Sequence, residues 1–134
     1  MMSAYLKSDI YQLSQRLGLM LKENGLIVGT AESCTGGWIA QAVTMVPGSS
    51  SWFDAGFVTY SNQSKVQQLG VDPNLIDQYG AVSDVVVEKM LIGVLNRTGA
   101  NCSIAISGVA GPDGGTEDKP VGTVWIGVGH EVKG

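Results

Sequence analysis

The sequence predicts an α/β fold in which helices cover both faces of a largely parallel sheet. Segments with the pattern of strands alternate with segments that have the period of helices, as in chains built from strand–helix–strand units. Glycine, proline and small polar residues separate these segments. The chain has 134 residues, of which 44% are hydrophobic, so it can bury a substantial core, and we expect a single domain over residues 1–134.

The chain opens with a predicted amphipathic helix, followed by a buried strand. Leucine and isoleucine recur at spacings of three and four before a stop at Gly25, so this apolar stripe is expected to pack on the sheet. The stripe consists of Leu6, Ile10, Leu13, Leu17 and Leu21. The apolar run 26–28 predicts the first strand, and a helix is expected to begin at Thr35 or at the glycines that follow it.

Six further elements follow, most of them bounded by a cap or a break in the pattern. Ser, Asn and Asp-Pro are typical start signals of helices, and glycine commonly ends them. The predicted elements are a strand over 55–60, helices that start near Ser61 or Asn62, at Asp72 and at Ser83, and strands over 102–106 and 122–128. The last two strands fit either a parallel arrangement or an antiparallel pair.

Composition and charge argue against several classes of protein. The net charge is −4, with 8 basic against 12 acidic residues and no basic stripe, so nucleic-acid binding is not expected. No apolar run approaches the ~20 residues of a membrane helix, and no secretory signal precedes the first helix. Cys34 and Cys102 are therefore expected to be reduced thiols of a cytoplasmic protein. With His130 they fall short of the roughly four ligands of a structural zinc site, so no metal site is predicted.

Residues 32–37, with the sequence Glu-Ser-Cys-Thr-Gly-Gly, form a hinge between the first strand and its helix. The N-terminus of a helix offers free N–H groups and the positive end of a dipole, which suits an oxyanion or a phosphate. Ser33 is therefore a candidate nucleophile. A serine near a helix start is also a common capping residue, and the pattern alone leaves both interpretations open.

Further polar groups are expected to converge on this hinge, because ligands of open α/β sheets bind beyond the carboxyl ends of the strands. Tyr60 and the loop that begins at Ser107 would lie there if their strands run parallel. Tyr60 could donate to an anion or only pack its ring. The glycine-rich loop has neither a P-loop nor a dinucleotide fingerprint, but its N–H groups could approach an anion; a plain connection is the alternative.

A serine nucleophile needs a base, and the usual histidine is missing. His130 is the only histidine, and it is expected in a frayed tail. Lys65 is the best remaining basic group, because it follows Tyr60 by five residues and a helical turn would return its amine to the sheet edge. Its pKa would have to fall from ~10.4, through burial or a nearby positive charge. A solvated surface lysine is the alternative, and Cys34 is expected to be a small buried hydrophobe.

Five runs of the sequence resemble, in order, the CinA C-terminal domain family. The matches extend from about the first strand to the last. The opening helix is shared only as a type of element, without a matching run of residues. The runs are TAESCTGG at 30–37, GFVTYSN at 56–62, GAVS at 80–83, SGVAGPDGG at 107–115 and KPVGTV at 119–124.

This resemblance implies a three-layer α/β/α sandwich with a mixed, mostly parallel sheet. It also implies hydrolysis of the amide of nicotinamide mononucleotide to nicotinate mononucleotide and ammonia, with no metal or organic cofactor. The residues that match the family assign Ser33 as the nucleophile, Lys65 as the base and Tyr60 as a hydrogen-bonding helper. Backbone N–H groups near Thr35 and Gly36 would then hold the oxyanion.

The phosphoribosyl end of the substrate is expected to contact the glycine-rich loop. The loop residues chosen for this role are Ser107, Gly108, Gly111 and Gly114. Two alternative functions stay open. The first is a catalytically inactive family member that binds nucleotides or partners, and the second is a small anion-binding module built on the helix N-terminus and the glycine loop.

Domains of this family typically continue past the strand around Trp125 through another strand and a long helix that carries an arginine. Because the sequence stops at Gly134, we expect a domain truncated at its C-terminus that lacks this last strand and helix. An apolar sheet face and an open edge would then be exposed. That edge and the resemblance together favour a homodimer.

Overall fold

The structure is a computed structural model that describes residues 8–131. Strands and helices alternate through most of this range, as the sequence pattern predicts. The strands are β1 (Val28–Glu32), β2 (Phe53–Val58), β3 (Cys102–Gly108) and β4 (Val124–His130). The helices are α1 (Asp9–Glu23), α2 (Trp38–Thr44), α3 (Asn62–Leu69), α4 (Pro73–Tyr79) and α5 (Asp84–Arg97), with a 3-10 turn at Ser49–Ser51.

The four strands form one mixed sheet with the order β2-β1-β3-β4. β1 lies in the centre and pairs in parallel with both β2 and β3. β4 pairs with β3 in the antiparallel direction, which settles the alternative that the sequence left open. The predicted α/β class with a mixed, mostly parallel sheet is thus confirmed.

Two separate clusters of buried side chains, one on each face of the sheet, make the domain three-layered. α1 and α2 contribute to the cluster on one face, and α3, α4 and α5 to the cluster on the other. Side chains of β1 alternate between these clusters, so that Val28 belongs to the first and Ala31 to the second. The helix layers therefore cover β1 from both sides, as expected for a strand of a parallel pair.

The predicted helix starts of α3, α4 and α5 are confirmed in detail. The side chains of Ser61, Asp72 and Ser83 each accept a hydrogen bond from a backbone N–H in the first turn. Such a cap stabilises a helix by ~1 kcal/mol. Gly70, at φ 71°, ends α3 in the left-handed conformation that glycine adopts without strain.

The predicted apolar face of the first helix is confirmed only in part, because Leu21 is buried and Leu17 packs against the same cluster, whereas the first half of the stripe is wrong. Leu13 is 58% exposed and Ile10 is also exposed, while Leu6 lies outside the described residues. The buried side of α1 consists of Tyr11, Ser14, Gly18 and Leu21. On this face Trp52 packs against the backbone of Gly18, a tertiary contact that a count of leucines does not reveal.

Several strand limits differ from the prediction by a few residues. β1 begins only at Val28 and continues to Glu32, and all five of its residues are buried. β4 extends to His130, which therefore lies in a strand rather than in a frayed tail. On the side of β4 opposite α5, Val124, Ile126 and Val128 are exposed.

None of the helices in the described part of the chain is long and apolar enough to cross a membrane.

Candidate functional site

The carboxyl ends of the three parallel strands meet at one edge of the sheet, as predicted. Ser33 follows β1 directly, and its N–H donates to the carbonyl of Ile106 in β3 at 3.0 Å. Thr59 follows β2, and its N–H donates to the carbonyl of Glu32 at 2.8 Å. These two bonds hold the first residues beyond β1 and β2 in register with their neighbouring strands. The residues that follow the strands therefore share one small region.

A hydroxyl and an amine from distant parts of the chain lie together in this region. Lys65 Nζ is 3.0 Å from Ser33 Oγ. The lysine is 1% exposed and the serine 6% exposed, so solvent is largely excluded from the pair. The interpretation of Lys65 as a solvated surface residue is wrong. Its position in the first turn and a half of α3 returns the amine toward the end of β2, as the helical pitch predicts.

The other two partners of the Lys65 amine are backbone carbonyls. Its Nζ lies 3.0 Å from the carbonyl oxygen of Thr59 and 3.2 Å from that of Tyr60. Among residues 8–131 its hydrogen-bond partners are thus one hydroxyl and two carbonyls, none of which carries a charge. Burial lowers the pKa of Lys65 below its ordinary value of 10.5, while the neighbouring Cys34 opposes this shift to a lesser extent.

The three partners of the Lys65 amine match the three donors of its ammonium form, and they can also accommodate the neutral amine. A neutral amine has two N–H donors and one lone pair, whereas the ammonium form has three donors. In the structure Nζ donates to Ser33 Oγ as well as to the carbonyls of Thr59 and Tyr60. After loss of one proton the two carbonyls can keep the two remaining N–H groups, which leaves the lone pair facing Ser33 Oγ. Geometry and burial therefore allow Lys65 to accept the proton of Ser33.

Ser33 is not the cap of the following helix, so the interpretation of this serine as a capping residue is wrong. The N-cap of α2 is Gly37, at φ 101°, and no side chain caps the helix from that position. Residues 33–37 form a turn that is closed by the Gly36 N–H, which donates to the Ser33 carbonyl at 3.1 Å. Gly36 therefore uses its N–H within the turn. Within residues 8–131, the N–H groups of Cys34 and Thr35 form no main-chain bond of this kind.

Glu32 is a site residue to which the sequence reasoning gave no role. Its buried carboxylate accepts hydrogen bonds from the Thr35 hydroxyl and from the backbone N–H groups of Ile39 and Ala40. The N-terminus of α2, which the sequence offered to a bound anion, is therefore occupied by the protein's own carboxylate. An acidic residue between a buried strand and a glycine-rich turn was the available signal.

Tyr60 contributes to the site through its backbone. Its carbonyl binds Lys65, whereas its phenol side chain is 68% exposed at the edge of the site. Cys34 lies beside the pair and is half-buried, and burial raises the pKa of its thiol above the ordinary value of 9.0. A protonated thiol fits the expectation of a small apolar side chain better than that of a nucleophile.

The residues chosen from the loop after β3 lie at different distances along it. Ser107 and Gly108 are the last residues of β3, and a Cβ on Gly108 would lie 3.0 Å from Cys34 Sγ, so this position adjoins the turn. Gly111 packs against Val121 within the loop, and Gly114 is exposed. The loop is attached to the end of α4, because Lys119 Nζ donates to the carbonyl of Tyr79.

His130 lies at the opposite end of the sheet from Ser33. It pairs in register with Cys102, the first residue of β3, whereas the site adjoins the last residues of that strand. At ~3.3 Å per residue, β3 separates the two positions by roughly 20 Å. His130 is thus too distant to act as the base.

Within the described residues, no group of three or more His, Cys, Asp or Glu side chains could hold a metal ion.

These features define a class: three-layer α/β proteins with a polar site beyond the carboxyl ends of their parallel strands, built on a buried serine–lysine pair. Within that class, the model of the CinA C-terminal domain matches residues 10–133. The chain belongs to the CinA C-terminal domain family, which confirms the resemblance of the five sequence runs.

Two curated relatives show how closely the chain follows this family. It is 55% identical over 119 residues to the nicotinamide-nucleotide amidohydrolase PncC of Escherichia coli K12, a match that covers 89% of this chain and 72% of that protein. It is 58% identical over 117 residues to the protein of the same name from Pseudomonas putida, covering 87% of this chain and 73% of that protein.

Solved structures of the family share the fold described above. The competence/damage inducible protein CihA of Agrobacterium tumefaciens superposes with a TM-score of 0.89 at 45% identity, covering 92% of this chain and 74% of that one. A CinA superfamily protein from Enterobacter cloacae gives a TM-score of 0.82 at 32% identity, covering 93% and 79%. The arrangement of strands and helices is therefore that of experimentally solved members of the family.

Proposed function

We propose that this chain hydrolyses the carboxamide of nicotinamide mononucleotide, with Ser33 as the nucleophile and Lys65 as the base. The observation that carries the proposal is the 3.0 Å contact between Lys65 Nζ and Ser33 Oγ in a region that excludes solvent. The choice of substrate rests on the names of the amidohydrolases to which the chain is 55–58% identical.

In the first half of the reaction, Ser33 is acylated. The lone pair of the Lys65 amine takes the Ser33 proton, and Oγ forms a bond to the carboxamide carbon. The resulting oxyanion is held by backbone N–H groups of the turn, of which Thr35 is the better placed because Gly36 donates to Ser33. The Lys65 ammonium then gives its proton to the amide nitrogen, the C–N bond breaks and ammonia leaves.

In the second half of the reaction, water replaces ammonia. Lys65, neutral again, takes a proton from a water molecule whose oxygen bonds to the acyl carbon. The ester bond to Ser33 breaks and the proton returns from Lys65 to Oγ. The product is a carboxylic acid, which leaves as a carboxylate after its remaining proton passes to solvent. The carbonyls of Thr59 and Tyr60 hold the amine in place through both proton transfers.

The remaining predicted site residues are proposed to bind the substrate. The exposed phenol of Tyr60 lies at the edge of the site, where it can donate to a polar group of the nucleotide. Ser107 and Gly108 end β3 beside the turn, nearer to Ser33 than Gly111 and Gly114. We propose that they contact the carboxamide end of the substrate. The two loop glycines are proposed to contact the phosphoribosyl end.

The test is ammonia release from nicotinamide mononucleotide by the purified protein and by variants of the pair. We expect Ser33→Ala and Lys65→Met each to lose at least ~10³-fold in kcat, since nucleophile and base act as a unit. Ser50→Ala is a matched control, because Ser50 is an exposed serine outside the site. It should retain full activity.

Other outcomes distinguish the alternatives. Unchanged turnover in Ser33→Ala would remove the nucleophile from the proposal. Saturable binding of the mononucleotide without turnover by the parent protein would instead favour a catalytically inactive member of the family. Thermal melting of every variant shows whether a loss of activity reflects a loss of folded protein.

A further inference from the structure

Glu32 is a buried carboxylate at the end of β1, immediately before Ser33. It is 1% exposed, and its Oε1 lies 2.7 Å from the Thr35 hydroxyl and 2.7 Å from the Ile39 N–H. Its Oε2 lies 3.0 Å from the Ala40 N–H. An ionised carboxylate is costly to bury unless such donors replace water, and the positive end of α2 adds to their effect.

These bonds connect the two ends of the turn that contains Ser33. Residue 32 belongs to the central strand of the sheet, while Ile39 and Ala40 belong to the first turn of α2. The Thr35 hydroxyl attaches the middle of the turn to the same carboxylate. The side chain of Glu32 thus fixes where the N–H groups of residues 34 and 35 lie relative to Ser33.

We propose that Glu32 is a positioning residue, which holds the turn of residues 33–37 so that its backbone N–H groups meet the oxyanion formed on Ser33. The inference rests on the proposed function of Ser33 as a nucleophile. It also explains why the helix N-terminus is not the anion site: the Glu32 carboxylate takes the N–H groups of Ile39 and Ala40, and the substrate's negative charge is directed to the turn.

The backbone of Glu32 has a separate task, which makes the role of its side chain testable. Its carbonyl accepts the Thr59 N–H at 2.8 Å and so orders the end of β2, where the two carbonyls that bind Lys65 lie. A change of the side chain leaves this backbone bond in place. The turn should therefore be disturbed while the contact between Lys65 and Ser33 persists.

The first variant is Glu32→Gln, which keeps the size of the side chain but loses its charge. One carboxylate oxygen becomes an NH₂ group that faces the backbone N–H of Ile39 or that of Ala40, and two donors cannot bond to each other, so at least one bond is lost. Because the oxyanion exists only beyond the ground state, we expect kcat to fall by about 10- to 100-fold while KM changes less than about threefold. Glu88→Gln makes the same chemical change at an exposed position of α5 and should match the parent.

The second variant tests the connection without a change at Glu32. Thr35→Val removes the hydroxyl bond but leaves both N–H bonds of the carboxylate, so the fold of α2 is retained. A similar fall in kcat is expected, and Thr35→Ser, which keeps the hydroxyl, should restore it. If Glu32→Gln does not fold, this pair of variants decides the question.

A readout that does not need the substrate separates this inference from the proposed function. An organofluorophosphonate should label Ser33, and labelling should slow in Glu32→Gln and Thr35→Val and be absent in Ser33→Ala. Slowed labelling in a protein that releases no ammonia from the mononucleotide would contradict the substrate but support positioning. Parent-like kcat and labelling in a folded Glu32→Gln would overturn the positioning role.

Discussion

The amine of Lys65 lies 3.0 Å from the hydroxyl of Ser33, although the two residues are 32 positions apart in the chain. Ser33 stands beyond the central strand, and Lys65 reaches it from the buried side of α3. Two backbone carbonyls complete the surroundings of the amine. Burial lowers the pKa of this amine and so eases the loss of its proton, and the neutral amine is the form that a serine requires of a base.

The acid limb of the pH–rate profile should report Lys65. Since burial lowers the pKa of Lys65, kcat/KM should rise with pH to a plateau, and the midpoint of this rise should give an apparent pKa below 10.5. Lys65→Arg should be inactive throughout, because a guanidinium does not lose its proton in this range. His130→Ala should keep the limb unchanged. Loss of the limb in His130→Ala would instead assign it to the histidine.

The stability of the protein should depend on pH through the same lysine. The folded-state pKa lies below the unfolded value, so between the two the unfolded chain binds more protons and stability rises with pH. The unfolding free energy of the parent minus that of Lys65→Met should rise by about 1.4 kcal/mol for each unit of difference in pKa. Urea unfolding from about pH 6 to about pH 11, which extends past the unfolded pKa, measures it.

Two choices make the stability experiment specific. Parent and variant should both carry Cys34→Ala, so that ionisation of the neighbouring thiol adds no slope of its own. Lys89→Met, at an exposed position of α5, is the matched control and should give a difference that does not vary with pH. A flat difference for Lys65→Met would mean that its pKa is not lowered by folding.

Local signals in the sequence were sufficient to predict most helix boundaries of this fold. Ser61, Asp72 and Ser83 act within three residues of their own positions, so a cap is readable without knowledge of the fold. The buried face of α1 was only partly readable in this way: Leu17 and Leu21 pack as predicted, but the contact of Trp52 with Gly18 comes from 34 positions further along the chain. Tertiary packing here overrides the spacing of leucines.

The candidate site was predictable to a similar extent. The predicted strand ends and the lack of a nearby histidine indicated Ser33 and Lys65. The burial of Lys65, however, depends on the strand order and on the packing of α3 over the carboxyl ends of the strands. The bonds of Glu32 depend on where α2 begins, at Trp38, and the N-cap residue of that helix, Gly37, has no side chain to indicate this start. Such contacts become visible only when the distances are known.

Removal of the Thr59 hydroxyl should stabilise the protein. Thr59 is fully buried, and its Oγ1 has no hydrogen-bond partner among the described residues. Thr59→Val keeps the shape and should raise the unfolding free energy by about 1 kcal/mol in urea unfolding. In Thr98→Val, the matched control, the hydroxyl bonds to Val94 and Ala100 are lost, and stability should fall. Destabilisation by Thr59→Val would reveal an ordered water on the hydroxyl.

Gly93→Ala should impair catalysis from a distance, because α5 touches the backbone of α3 at this glycine. A Cβ on Gly93 would collide with the carbonyl of Leu69, four residues after Lys65, and would displace the helix that holds the amine. Alanine normally favours a helix by ~1 kcal/mol, but overpacking costs about 1–3 kcal/mol, so stability and kcat should both fall. Gly18→Ala makes the same change in α1 against Trp52, on the other face of the sheet. This control should destabilise the protein but keep kcat per folded molecule. Urea unfolding measures the stability of both variants, and ammonia release measures their kcat. An equal fall of kcat in both variants would refute the positioning of Lys65 through α3.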